Sequence, residues 1–134
     1  MNKRKKALII GAGGVSPSII LALKNMGCEN IYLTNRTYEK AEKIKETFND
    51  ITIQKWGDIP EFDIVINATS VGLNKDNLDL DLNKFGNNKF FYDVIYNPNE
   101  TNFLKQANLS GNKTENGRMM FIYQAHQSFA LWTK

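Results

Sequence analysis

The sequence contains one cysteine, one histidine and three prolines in 134 residues. A single cysteine, Cys28, excludes an internal disulfide and a multi-cysteine metal site, and no metal is expected. It follows Gly27, where a helix should end, so it reads as a packed thiol rather than a nucleophile. The lone histidine, His126, sits in a helical pattern, where such residues are usually structural, and it is given no role. Long hydrophobic runs are also missing. No segment reaches membrane-spanning length, and the apolar stretch after Met1 to Lys6 is too short for a signal peptide. The reading is a cytoplasmic chain without a membrane partner. A strong charge of either sign is absent as well, since the formal net charge is +3. Basic residues cluster once, at Lys3-Arg4-Lys5-Lys6, and a solvated leader is preferred there over a nucleic-acid arm. Internal repeats, low-complexity segments and interdomain linkers are not found.

What is present is an ordinary globular balance, with 42% hydrophobic and 23% charged residues, enough for one domain with a buried core. The chain is organised around Lys6 to Pro17, KALIIGAGGVSP. Ala7 to Ile10 is a short unbroken apolar run, the pattern of a parallel strand buried on both faces. It ends at Gly11-Ala12-Gly13-Gly14, and Ser18 to Met26 reads as a helix. A strand, a glycine turn and a helix start bring backbone N–H groups to a helix N-terminus, where an anion is favoured. Gly11 permits the tight turn, and Gly13 lets the backbone approach a pyrophosphate. Ser16 holds the position of the third glycine in the dinucleotide-binding pattern. Pro17 is tolerated in the first helical turn, where its missing N–H has no partner to lose.

Further along, Asn30 to Thr34 reads as a strand and Thr37 to Phe48 as a helix, with Ala41, Ile44 and Phe48 at helical spacing. Ile51 to Trp56 alternates like an edge strand, and Asp63 to Asn67 is a buried strand. Leu73 to Asn88 is irregular, a loop with a short helix. Lys89 to Tyr96 is a strand, Glu100 to Leu109 a helix closed by Gly111, and Asn116 to Trp132 a final helix. This alternation predicts an α/β fold, a doubly wound parallel Rossmann sheet in a single domain. Its ligand should lie at the carboxyl ends of the strands, near the reversal of strand order. That rim would hold Gly11 to Gly14, Asn35-Arg36, the loop after Asn67 and the segment after Val94.

The end of the second strand decides which dinucleotide fits. An NAD site places an acid there for the ribose 2′-hydroxyl, whereas this chain has Thr34-Asn35-Arg36-Thr37. Arg36 offers a planar fork to a 2′-phosphate, and Lys40, four residues on and on the same helical face, adds charge. Thr37 could also cap the following helix. NADP recognition by Arg36 is preferred over an idle surface arginine.

GAGG after the first strand, NRT after the second, NATSVG at Asn67 to Gly72, DVIYNPNET at Asp93 to Thr101, and NGRMMFIYQAHQSFALW at Asn116 to Trp132 together resemble the shikimate dehydrogenase family. The resemblance runs in order over nearly the whole chain and matches the C-terminal, NADP-binding half of such enzymes. They interconvert 3-dehydroshikimate and shikimate on the route to chorismate and the aromatic amino acids. The resemblance implies diphosphate contacts from Gly11, Ala12, Gly13, Gly14 and Val15, and 2′-phosphate contacts from Asn35, Arg36, Thr37 and Lys40. It assigns Val94 and Gly117 to the nicotinamide end, and Tyr96 and Gln124 to the substrate. Met119 departs from the pattern, which has a glycine there, while Met120 matches the usual methionine. Asp93 is read as orienting the turn before Asn97-Pro98 rather than as a catalytic acid.

The family's proton-transferring lysine and aspartate belong to an N-terminal substrate-binding domain with no counterpart here, so no catalytic residue is assigned. Lys5 and Lys6 precede the first strand, at the wrong end of the sheet to replace them. The expected partners are NADP(H), and shikimate or 3-dehydroshikimate through the missing domain. Large apolar residues on the last helix (Met120, Phe121, Tyr123, Phe129 and Trp132) suggest a patch seeking a split-enzyme partner or a second copy in a homodimer. A non-catalytic NADP(H)-binding regulatory module, and the cofactor half of a quinate/shikimate dehydrogenase, are the alternatives. Retention of Tyr96 and Gln124 argues for the enzyme lineage, since a sensor needs neither.

Overall fold

The computed structural model describes residues 5–69, 86, 89–94 and 102–116. Expectations for Gly72 and the 73–85 stretch, Tyr96, Gly117, Met119, Met120, Gln124, His126 and the final helix lie outside the described residues. Six strands, β1 (Lys6–Ile10), β2 (Asn30–Thr34), β3 (Thr52–Gln54), β4 (Ile64–Asn67), β5 (Phe90–Asp93) and β6 (Lys113–Asn116), form one sheet in the order β3-β2-β1-β4-β5-β6. Every pairing is parallel. Among the described residues the helices are α1 (Ser16–Asn25), α2 (Tyr38–Thr47) and α3 (Asn102–Leu109). The first half of the chain winds outward from β1 to β3, and the second half starts again on the other side of β1. The order therefore reverses between β1 and β4, the doubly wound arrangement the alternation predicts.

β1 explains its own apolar run. Ala7 and Ile9 face a core shared with Ile19, Ile20 and Leu23 of α1 and with Ala41 and Ile44 of α2. Leu8 and Ile10 face a second core with Phe91 of β5 and with Phe103, Leu104 and Ala107 of α3. A strand with a core on each side has no polar face to show, so no period-two alternation survives in its sequence. In that second core the Phe91 ring lies 6.1 Å from Phe62 in an edge-on arrangement and 5.2 Å from Phe103.

The largest departures from the expected boundaries are four. α1 starts two residues early, at Ser16, because the fully buried Ser16 hydroxyl donates to the Gly11 carbonyl at 2.7 Å and draws the turn into the helix. β3 keeps only Thr52–Gln54 of the expected strand, at the sheet edge. β5 ends at Asp93, and Val94 bends away with its N–H on the Asn67 carbonyl at 3.1 Å. β6 carries no strand signal in KTEN, and its Asn116 was expected to open a helix instead. Asn112, which is buried, supplies the reason. Its side chain accepts from the Lys89 N–H at 2.7 Å and donates to the carbonyls of Ala107 and Gly86 at 3.1 Å. The turn after α3 is thereby tied to the start of β5, which sets Lys113 opposite Phe90. Among the described residues no helix is long and apolar enough to cross a membrane.

Candidate functional site

The registers place the strand ends in one row. Ile10 pairs with both Thr34 and Asn67, and Asn67 with Asp93. The residues that follow, Gly11, Asn35, Ala68 and Val94, share the carboxyl rim of the sheet around the switch point. This is where such sheets take their ligands.

The glycine turn is built by close packing on one side and openness on the other. Gly11 has φ +109°, and a Cβ there would lie 2.9 Å from Thr69 Cγ2 and 3.0 Å from the backbone of Ala68 and Thr69. Only glycine allows the first turn to pass so near the loop after β4. A Cβ on Gly13 would meet only the Ala68 carbonyl oxygen, at 4.0 Å, and one on Gly14 nothing within 4 Å. The turn is therefore tight where it touches protein and empty where it faces outward.

Backbone donors divide the same way. The Gly11 N–H is taken by the Thr34 carbonyl at 2.8 Å, and that of Ala12 by Asn35 Oδ1 at 3.0 Å. The Ser16 N–H bonds the Gly13 carbonyl at 3.1 Å. The N–H groups of Gly13, Gly14 and Val15 have no acceptor among the described residues. They sit at the N-terminus of α1, where Val15 is the N-cap and no side chain caps the helix. The first turn of α1 carries no acidic residue. Three unpartnered donors at the positive end of a helix dipole, beside open volume, are arranged to accept an oxyanion. Ala12, grouped with them on resemblance, has its N–H turned inward instead.

At the tip of β2 the Arg36 guanidinium is exposed and lies 5.3 Å from the centroid of the Trp56 ring. Such stacking narrows the region an arginine explores while leaving its N–H groups to an anion. Trp56 was missed as a site residue. It stands twenty positions from Arg36 (residue 56 against residue 36), so no local pattern links them. Its indole Nε1 is buried without a hydrogen-bond partner among the described residues, as is the hydroxyl of Thr34 on β2.

Two expectations at this tip need correction. Arg36 precedes the helix, so it shares no helical face with Lys40, which is exposed in the first turn of α2. Thr37 takes the N-cap position, with φ −97° and ψ 107°, but its side chain makes no capping bond. Asn35 also does something other than point outward. While its oxygen accepts from Ala12, its amide donates to the Thr37 carbonyl at 2.8 Å.

On the far side of the switch point a buried polar group holds the loop after β4. Asn67 Nδ2 donates to Asp93 Oδ2 at 3.2 Å, and Asn67 Oδ1 accepts from the Thr69 N–H at 3.1 Å and the Thr69 hydroxyl at 2.6 Å. Asn67 and Asp93 are both almost wholly buried. Asp93 therefore anchors β4 to β5, and Thr69 is held where it meets Gly11. Val94 follows at the rim, half-buried and packed against the α1–α2 side core.

Cys28 lies at the other end of the sheet, away from this rim. Its thiol donates to the Lys5 carbonyl at 3.3 Å, and burial pushes its pKa up to about 11. That is a packed thiol, as expected.

The family profile for shikimate / quinate 5-dehydrogenase matches residues 1–95. A shikimate dehydrogenase (NADP(+)) of Pelagibacter ubique is 56% identical over 98% of this chain and 50% of its own length. Two solved structures share the fold closely. Shikimate 5-dehydrogenase of Thermus thermophilus, in complex with NADP(H) and shikimate, matches with TM-score 0.77 at 29% identity, over 99% of this chain and 51% of the enzyme. Quinate dehydrogenase of Corynebacterium glutamicum, in complex with NAD, matches with TM-score 0.80 at 26% identity, over 96% of this chain and 50% of the enzyme. The chain spans about half the length of the curated relatives it matches. With the profile matched over most of its residues and its motifs set on a Rossmann sheet, the chain belongs to the shikimate / quinate 5-dehydrogenase family.

Proposed function

We propose that this chain is the NADP(H)-binding half of a cytoplasmic shikimate dehydrogenase, which interconverts 3-dehydroshikimate and shikimate. The observation that carries the reading is the set of unpartnered N–H groups on Gly13, Gly14 and Val15, beside a volume that a Cβ on Gly14 would enter freely. These donors hold the diphosphate. The exposed Arg36 on its Trp56 shelf, with Lys40 and the uncommitted Thr37 hydroxyl nearby in the chain, holds the 2′-phosphate. Val94, and by resemblance Gly117, line the nicotinamide end, and Tyr96 and Gln124 contact the substrate. When bound, the cofactor supplies the hydride for the substrate carbonyl.

The chain's own task is to fix that hydride source at the carboxyl edge of the sheet. The group that moves the proton to the carbonyl oxygen comes from a substrate-binding half outside these residues, and the isolated 134 residues bind cofactor but turn nothing over. The relatives, twice as long as the matched segment, support this division.

Calorimetric titration with NADPH and NADH tests the reading, with NADPH binding more tightly. Arg36→Ala should lose about 1.5–3 kcal/mol toward NADPH, the worth of a hydrogen bond to a charged group, and leave NADH nearly unchanged. Equal affinity for the two cofactors in the wild-type chain would remove the Arg36 assignment. Shikimate and quinate, each assayed after adding a family substrate-binding domain, then decide which hydroxy acid is reduced and oxidised.

A further inference from the structure

Between the two proposed phosphate subsites stands Asn35. Its half-buried side chain reaches back across 23 positions to the glycine turn, accepting the Ala12 N–H at 3.0 Å, and forward to the β2–α2 turn, donating to the Thr37 carbonyl at 2.8 Å. The carboxamide suits this bridge, because it presents an acceptor and a donor in one rigid plane. Both bonds are of good length, and they join the two loops only through this side chain. The neighbouring tie, from the Gly11 N–H to the Thr34 carbonyl at 2.8 Å, lies on the strand side of both turns.

We propose that Asn35 is a positioning residue that couples the diphosphate turn to the 2′-phosphate turn, rather than a phosphate ligand in its own right. Occupying the Ala12 N–H turns that donor inward and leaves Gly13, Gly14 and Val15 as the outward set. Holding the Thr37 carbonyl fixes the backbone from which Arg36 and Thr37 project. An anion gripped at one turn therefore steadies the other. This inference rests on the NADP(H) reading above, since it concerns how that one ligand is held.

The two roles separate on the cofactor that lacks the 2′-phosphate. As a direct phosphate ligand, Asn35 would matter to NADPH alone. As a clamp it matters to both, because both need the glycine turn. Asn35→Ala should weaken NADH by about tenfold, the worth of one hydrogen bond, and NADPH by at least as much. Loss confined to NADPH overturns the proposal.

Amide exchange followed by NMR reads the clamp without cofactor. The Ala12 N–H should be protected in the wild-type chain and exchange at least about tenfold faster in Asn35→Ala, as expected when one hydrogen bond closes it. Asn35→Asp keeps an acceptor for Ala12 but loses the donor to Thr37. It should retain Ala12 protection and recover NADH binding, while its carboxylate repels the 2′-phosphate of NADPH. Adenosine 2′-monophosphate, which has no diphosphate, should slow Ala12 exchange further in the wild-type chain and leave Asn35→Ala unaffected. Unchanged Ala12 exchange in Asn35→Ala, or no response of the saturated wild-type chain to adenosine 2′-monophosphate, overturns the coupling. Should the wild-type chain bind neither dinucleotide, the NADP(H) reading falls, and Ala12 exchange in the three proteins still decides whether Asn35 closes the turn.

Discussion

Gly11 and Gly13, two residues apart in the same turn, should respond oppositely to the same methyl group. Gly11→Ala strikes the protein itself. The backbone there has φ +109°, and the new Cβ would sit 2.9–3.0 Å from Thr69 and the Ala68 backbone, where nothing flexible can yield. Holding a non-glycine residue in such a conformation costs about 1–3 kcal/mol. Overpacking against a fixed neighbour adds about 1–3 kcal/mol more. Together they remove roughly 2–6 kcal/mol from a stability of typically about 5–15 kcal/mol. With a slope of about 2 kcal/mol per molar urea, the unfolding midpoint should fall by roughly 1–3 M.

Gly13→Ala meets only a carbonyl oxygen at 4.0 Å and has no left-handed backbone to strain. Its unfolded chain loses freedom, so the fold should gain about 0.4–1 kcal/mol. The methyl instead fills the space through which the proposed diphosphate would approach the free N–H groups. Losing one charge-assisted hydrogen bond would cost about 1.5–3 kcal/mol, roughly a 10- to 150-fold weaker dissociation constant for NADPH. Urea titration followed by circular dichroism and calorimetric titration of NADPH read the two effects separately. A Gly11→Ala midpoint equal to that of the wild type would refute the packing argument. Undiminished NADPH binding by Gly13→Ala would show that the open volume belongs to something else.

Two further outcomes follow from the same geometry. Trp56→Leu keeps apolar bulk against the second core but removes the aromatic face 5.3 Å from Arg36. At about 0.5–1 kcal/mol for an exposed cation–π contact, NADPH affinity should drop about two- to fivefold with NADH unmoved, and an equal loss for both cofactors would count against the shelf. Cys28, with its thiol raised from 9.0 to about 11, should react with iodoacetamide at pH 8 about a hundredfold more slowly folded than unfolded, from thiolate fraction alone. Because the folded value is the higher one, its contribution to stability is intact below pH 9 and is lost as pH rises through about 11. Urea midpoints measured across that range should therefore fall less steeply in Cys28→Ala than in the wild type, and identical slopes would contradict the burial argument.

Much of this protein was written locally. The apolar run of Ala7 to Ile10, the glycines behind it and the alternation of strand and helix fixed the parallel sheet, its switch point and the rim. Those signals survive without a structure because each belongs to one element, in the face it buries or the turn it makes. Arg36 draws notice in the sequence for a related reason, as a charge standing where an acid would otherwise be. What the fold alone decided are the pairings between distant elements. KTEN becomes β6 because Asn112 ties its turn to Lys89, not because its residues favour a strand. Trp56 comes under Arg36 only when β3 packs beside β2, and Asn67 meets Asp93 only when β4 and β5 align. Asn35 shows the difference most directly: the family resemblance implies a phosphate contact, while the folded chain spends both ends of its amide on backbone 23 positions before it and two after. Periodicity reports which side of an element faces the core, but a hydrogen-bond partner is chosen by where another element happens to end, and that is a property of the whole sheet.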